Sequence, residues 1–483
     1  MLVMLLPFVL GITLYESYAL PLIAVLSTLL ISGLGAWLLL PRKVAWCYAS
    51  VAILLFGYIM AELRAPRPSL DYDTTVEMTL SIESPPSARD GYRIANGRII
   101  EWWDGTRSHR ANDRVVLWLR SASVDYGDEV TINGRLTERI SRHASYDRLQ
   151  HRRGKVGGVS ISDRNIICYH HTSPSQSLQQ RAITRLGQYT TDTISHAVVE
   201  AMVTGSRRNM PQSLREAYSR TGLSHLMAVS GLHLGIVTMV IGTLLVPLRF
   251  IHRGHRIANL LTIVATWLFA AMSGFSPSVI RAALMLSLLQ ISLFTSSRYS
   301  SLNSLAVAAF LMLVYRPDYL YDISFELSVL AVAGIVLWAV PVMRSMGGYG
   351  WLSRTTIITL SIGIAATLWT LPLVSHTFGN LPIASVILTP AVMLFSYLIV
   401  AFGIFTLILP TPLSVYCLNV AEWAAEMQNS IVEYSASLPF ASIDYTMTEG
   451  DMWLCYSIYV TITLLTWSIN RKKVVTLSYA NTP

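Results

Sequence analysis

Charge is scarce in this chain. Only 13% of its 483 residues are Asp, Glu, Lys or Arg, and 53% are hydrophobic. Soluble domains carry roughly 25% charged residues. So little polar material cannot coat a single soluble globule, and so much apolar material excludes disorder. The mean hydropathy of +0.48 points the same way. A membrane protein with several spans remains. Cysteine is scarce too. Cys47, Cys417 and Cys455 lie in apolar runs and read as small hydrophobes, and Cys168 is alone in the polar part, so there is no disulfide framework. The Gly-x-x-x-x-Gly-Lys-Ser/Thr loop of ATP-driven proteins is missing, as is the His-x-His-x-Asp-His cluster of metallo-β-lactamase-like hydrolases. Neither a cofactor nor a metal is expected. Met1–Leu14 lacks the basic start of a cleavable signal peptide.

The charge that is present is unevenly placed. Residues 62–222 hold 23 of the 36 Lys and Arg and 18 of the 28 Asp and Glu. The chain thus reads as N-terminal transmembrane helices (1–61), a water-facing domain (62–172), an amphipathic helical lead-in (173–222), a transmembrane domain (223–470) and a cytoplasmic tail (471–483). A spanning helix needs ~20 mostly apolar residues. Candidates are Met1–Leu14, Tyr18–Leu40, Val44–Ala61, Ser224–Leu248, Ile257–Phe275, Pro277–Thr295, Leu302–Tyr315, Ile323–Met343, Thr355–Val374, Ile383–Leu409 and Met452–Ile469. Basic loops at Arg42-Lys43, at Arg249, Arg253 and Arg256, and at Arg471–Lys473 belong in the cytoplasm by the positive-inside rule. The first two place residues 62–222 outside the cytoplasm. The third needs an even number of crossings after Arg256, where seven are counted. Either one segment is re-entrant or Leu413–Leu438 crosses or lies in the interface.

The polar domain reads as β-rich. Thr75–Ile82, Arg93–Trp102, Arg114–Leu119, Glu129–Leu136 and Val156–Ile161 are short, partly alternating runs. Turn signals include Asn96-Gly97, Asp104-Gly105, Asn133-Gly134 and Gly157-Gly158. Five short strands suit a small barrel of the OB type. The expected fold class is therefore a polytopic α-helical membrane protein with an inserted small β-barrel (OB-like) extracytoplasmic domain. Single-stranded nucleic acid binds to stacking faces interleaved with cations. Arg93, Arg98, Trp102, Trp103, Arg152, Arg153 and Lys155 are the weak candidates here, since 15 acidic residues dilute 17 basic ones over 62–172. Leu178, Ile183, Leu186, Ile194, Val198 and Met202 form a helical stripe expected at the membrane surface.

Polar groups at membrane depth are costly and usually face a polar path or partner. Gly222–Gly235 puts His225, Ser230, Gly231 and His233 at the start of an apolar span. Ser-Gly there can break the helix, and a break survives only where it is buried in protein or lines a cavity. His225 and His233 are eight apart, a poor spacing for a shared metal. Arg281 and Glu326 are charges within spans, and a buried pair between them would offset part of each desolvation cost. Alternatively, Arg281 lies on a conduit for an anion. These six residues are the candidate transport path or its brace; no catalytic residue is assigned.

Four ordered strings resemble the ComEC family of bacterial competence proteins. Leu223–Gly235 is close to its "HLLAVSGLH" signature. Pro277–Met285 is similar to "PSVxRAxxM", and Ile323–Val332 to "FQLSFLAV" with Glu326 at the Gln. Tyr126–Gly134 is similar to the "GDxVxVxG" of its OB domain. The resemblance implies an inner-membrane channel for uptake of single-stranded DNA in natural transformation. It implies single-stranded DNA and membrane lipid as partners. A separate nuclease, a DNA receptor, a cytoplasmic helicase and a second copy of the chain are further candidates. Three departures stand out. The C-terminal metallo-β-lactamase-like domain of long members is absent from the sequence, Cys168 has no disulfide partner in its domain, and Ser385 stands where the family often has Asn. Two other functions compete: a transporter or flippase for another anionic polymer or lipid, and an intramembrane serine hydrolase with Ser230 as nucleophile and His233 or His225 as base.

Overall fold

The structure is a computed structural model. It describes residues 2–18, 21, 25–32, 42–65, 67–84, 86–89, 92–120, 124, 127–141, 147, 150–151, 154–170, 178–188, 193–207, 209–227, 229–295, 300–345, 350–382, 384–438 and 441–480. The expected span Tyr18–Leu40 lies largely outside them. The chain divides into two compact units, Met1–Ser177 with Phe310–Asp322, and Leu178–Ala309 with Ile323–Pro483.

In the first unit, helices α1 (Leu2–Ser17) and α2 (Arg42–Arg64) pack closely. Two glycines allow it. A Cβ on Gly11 would stand 1.9 Å from the Leu54 carbonyl oxygen, and one on Gly57 would stand 2.3 Å from that of Phe8. Small residues serve helix pairs in lipid in this way. Gly57→Val is therefore expected to lower stability by about 1–3 kcal/mol, the usual cost of overpacking. Thermal unfolding of the full chain reads this out, and an unchanged midpoint would show that the backbones are not in contact there.

The same unit holds a seven-stranded sheet. Its strands are β1 (Thr75–Ile82), β2 (Ser87–Arg89), β3 (Tyr92–Trp103), β4 (Ser108–Arg120), β5 (Glu129–Arg135), β6 (Gly157–Ser162) and β7 (Ile166–His170). Their order is β6-β4-β3-β1-β5-β7, with β2 on β3. All pairs are antiparallel except β4 with β6, which run parallel from Val115↔Gly157 to Arg120↔Ser162. A bridge between Thr137 and Gly158 links the chain just past β5 to β6. Alternation fills one face: Met78, Leu80, Ile82, Ile99, Val115, Leu117, Val130, Ile132, Val159 and Ile161 are all buried.

Three expected turns are not turns. Asn96-Gly97, Asn133-Gly134 and Gly157-Gly158 lie inside β3, β5 and β6. Gly158 shows the reason: a Cβ there would stand 2.3 Å from the Trp118 ring, so the glycine serves close packing. Asp104-Gly105 is a real turn between β3 and β4, with Gly105 at φ +91°. The Thr106 hydroxyl, the Arg107 amide and His109 all bond the Asp104 carboxylate, the hydroxyl most strongly, and hold its pKa well below the ordinary range.

The second unit is helical: α3 (Leu178–Gly187), α4 (Thr193–Thr204), α5 (Gln212–Arg220), α6 (Gly231–Leu244), α7 (Gly254–Met272), α8 (Pro277–Thr295), α9 (Ser301–Tyr315, which runs into the first unit), α10 (Ile323–Gly334), α11 (Trp351–Phe378), α12 (Ala384–Ile408), α13 (Leu413–Ser437) and α14 (Glu449–Ala480). A π-helical turn, Ile335–Ala339, follows α10. Five helices of the described chain are long and apolar enough to cross a membrane: Trp46–Arg64, Gly254–Met272, Ile323–Met343, Ser353–Phe378 and Ala391–Ile408.

The core of this unit joins α4, α6, α8, α12 and α13. Here α4 corrects an expectation. Ala197, Val198, Val199, Ala201, Met202 and Val203 are all buried, so α4 is a core helix and not a one-faced amphipathic one. The apolar residues surround it instead of forming a stripe, as a fully buried helix requires. Helix α13 has 25 residues and spans about 37 Å, enough to run the depth of a bilayer. It packs along α12 and against α4.

Candidate functional site

The Gly222–Gly235 string folds as a helix break. Gly222 follows α5 with φ +75°, a left-handed conformation that suits glycine. A Cβ on it would stand 2.4 Å from Pro382 Cβ and 3.0 Å from Ser385 Cβ, so Ser385 packs against the start of the string. One helical turn, Ser224–Met227, comes next. His225 is exposed on it, and its Nδ1 donates to the Gly222 carbonyl at 3.0 Å. Arg207 Nε donates to the Met227 carbonyl at 3.1 Å, which satisfies the end of that turn. Helix α6 then begins at Gly231 with Ser230 as its N-cap. The expected single span Ser224–Leu248 is thus interrupted. Helix α6 itself has 14 residues, about 21 Å, less than the bilayer core.

His233 closes the cap. The Ser230 amide donates to His233 Nδ1 at 3.0 Å, and the Ser230 hydroxyl lies 3.3 Å from the same atom. An imidazole that accepts at Nδ1 is neutral, with its proton on Nε2. The ring is fully buried. This contact is a cap rather than a nucleophile–base pair, because the amide already occupies the nitrogen a base would use. The two histidines have opposite roles: His225 Nδ1 donates and His233 Nδ1 accepts.

Arg281, on α8, lies against this break. It is 4% exposed. A Cβ on Gly231 would stand 3.4 Å from its Nη2 and 3.3 Å from Ala282 Cβ. Its Nε and Nη1 reach no hydrogen-bond partner among the described residues. The expected pair with Glu326 does not form. Ser278 and Ser328 hydroxyls lie 3.1 Å apart, so α8 and α10 are neighbours. However, no ion pair involves Arg281 among the described residues. The reason is direction, since the guanidinium turns toward the start of α6. Glu326 is half-buried on α10.

A second buried polar set was not anticipated. His196 on α4 and Glu422 on α13 meet at 3.1 Å, Nδ1 to Oε1. Both are buried. Asn209 Nδ2 donates to Glu200 Oε2 at 3.0 Å. The Tyr218 hydroxyl donates to Asn429 Oδ1 at 2.8 Å and accepts from Gln428 Nε2 at 3.0 Å, while Ser396 Oγ donates to Gln428 Oε1 at 3.0 Å. One signal was legible: Glu422 is the first charge after Arg354, and an isolated charge in so long an apolar stretch invites a partner.

The candidate strand-binding residues are less convergent. Arg98 is engaged by Glu83 and Asn112, at 2.6 Å from Nε and 2.5 Å from Nη1. Trp102 stacks on His109 at 4.4 Å between centroids. Trp103 is exposed, at the rim of a cleft that also carries Asp71, Glu77 and Asp104. Arg93 is half-buried on β3, and Lys155 Nζ donates to Asn96. Arg152 and Arg153 lie outside the described residues. No group of three His, Cys, Asp or Glu able to hold a metal ion occurs among the described residues.

Comparison with known proteins bears on the helical unit above all. A family model described as "Competence protein" matches residues 202–472, more than half of the chain. An uncharacterized protein of Aquifex aeolicus is 34% identical over 206 residues, 42% of this chain and 45% of that protein. ComE operon protein 3 of Bacillus subtilis is 27% identical over 192 residues, covering 40% of this chain and 24% of that protein. Recombination protein 2 of Haemophilus influenzae is 23% identical over 319 residues, covering 62% and 39%. The chain thus spans less than half the length of these relatives. No solved structure matches it. The matched region contains the helix break, Arg281 and Glu326, and the chain belongs to the competence protein family, the ComEC family that its motifs resemble.

Proposed function

We propose that this chain is an inner-membrane channel component that passes single-stranded DNA from the external face to the cytoplasm. One observation carries the reading beyond family membership: a buried guanidinium, without an ion pair among the described residues, faces the broken start of a helix in an apolar bundle. A polyanion crossing lipid needs cations or oriented dipoles along a polar path. Arg281 supplies the cation and α6 the dipole. In this reading Ser230, Gly231 and His233 build the break, His225 and Glu326 flank it, and residues 62–222 lie outside the cytoplasm. The sheet is an OB-like barrel. The parallel β4–β6 pair and the Thr137–Gly158 bridge support that, since they let β1, β3, β4, β6 and β5 follow one another toward closure. Exposed Trp103 is its stacking face.

The test uses a strain lacking the chain. Labelled DNA should fail to reach its cytoplasm, and transformants should fall to background. A deletion strain that transforms normally ends the proposal.

A further inference from the structure

The start of α6 and Arg281 carry a problem that each makes worse for the other. The capping box takes up the Ser230 and His233 amides, and it leaves those of Gly231 and Leu232 with no partner within the helix. They carry the positive end of the helix dipole. Against them lies a guanidinium that is 4% exposed, with Nε and Nη1 lacking any hydrogen-bond partner among the described residues. Its Nη2 lies 3.4 Å from where a Gly231 Cβ would stand, so the guanidinium packs against the first residue of the helix. His233 adds no charge, because its Nδ1 accepts the Ser230 amide. A buried cation without a counter-charge is costly, and a positive helix end beside it adds to the cost. An anion between them offsets both.

The donor set limits which anion fits. A guanidinium with Nε and Nη1 open, beside the Gly231 and Leu232 amides of a helix start, matches a tetrahedral oxyanion. Gly231 lets the guanidinium come this close: any side chain there would press on Ala282 Cβ and Nη2.

From this geometry we infer a discrete phosphate site formed by the N-terminus of α6 and Arg281, which takes one phosphodiester group of the strand at a time. That its occupant is a DNA phosphate rests on the uptake reading above; that the site takes phosphate does not. A fixed site makes passage stepwise, with each phosphate held by fork and amides and then released to its successor. This is how multi-site conduits bind cargo without trapping it.

The full chain in phosphatidylcholine nanodiscs provides the test, with thermal unfolding as readout. Inorganic phosphate should raise the midpoint saturably above chloride of equal ionic strength, and a short oligothymidylate should do the same. Arg281→Gln should raise the half-saturating phosphate concentration about tenfold or more, the loss expected for a charge-assisted bond. Gly231→Ala leaves the guanidinium in place and should weaken phosphate severalfold. It carries the test if Arg281→Gln fails to fold. No phosphate-dependent shift in the native chain, or equal shifts in native and Gly231→Ala proteins, overturns the site. Stabilisation by phosphatidylglycerol discs, with none by oligothymidylate, assigns the site to lipid headgroups and overturns the DNA ligand. If phosphate binds yet the deletion strain transforms normally, the uptake reading falls and the anion site stands. If the strain fails to transform but phosphate does not bind, the reverse holds.

Discussion

Arg281→Met, as the sole copy in a transformable strain, is expected to lower transformation by roughly ten- to a hundredfold, the loss of a charge-assisted contact to an anion. The same change should leave the protein as stable or more stable. The native side chain is a buried cation without an ion pair among the described residues, and methionine of similar length removes that desolvation cost. Opposite signs for function and stability separate a path residue from a brace. A bracing residue would lose transformation only in step with membrane abundance and thermal midpoint. Transformation counts, immunoblots of the membrane fraction and unfolding curves are the three measurements. Unchanged transformation at unchanged abundance would falsify a role for Arg281 in the path.

Glu422→Ala should be the most destabilising single change in the helical unit. It leaves the buried imidazole without its hydrogen-bond partner beside a cavity, at a cost of about 2–4 kcal/mol. Glu422→Gln should cost only about 1 kcal/mol, because an amide can still hydrogen-bond the imidazole. Thermal unfolding in detergent ranks the two. Equal effects would show that His196 and Glu422 do not interact, and a small effect of Glu422→Ala would show that α4 and α13 do not rely on the contact. Asn429, two turns along the same face of α13, bonds Tyr218, and Gln428 beside it does too, so damage should spread along the α4–α12–α13 core.

Much of the fold was legible for local reasons. The expected strand Thr75–Ile82 has those bounds in the structure, because one face alternates cleanly into the core. Strand β4 begins six residues earlier than expected, at Ser108. Its added residues, Ser108–Asp113, are polar apart from Ala111, so no apolar alternation marks them although they pair with Ile99, Glu101, Trp102 and Trp103 of β3. Glycine misled the reading of turns: Gly158 serves a tryptophan on the neighbouring strand, a partner that local sequence cannot reveal. The break at Ser230-Gly231 was legible from composition alone. The direction of Arg281 was not.

The sequence by itself determined the class of the protein. Apolar run lengths, the clustering of charge in residues 62–222 and the strings around His225, Arg281 and Glu326 mark a membrane protein of the competence family with an inserted sheet. These properties are local, or sums over local residues. Only the tertiary structure decided what the few buried polar groups do. Arg281 turns to the start of a helix fifty residues earlier in the chain and leaves Glu326 unengaged by it. Glu422 meets a histidine more than two hundred residues away. Helix spacing says which residues share a face. Which face meets which is set by packing among helices distant in sequence, and there a few ångströms decide whether a buried charge lies against a carboxylate or against a helix start.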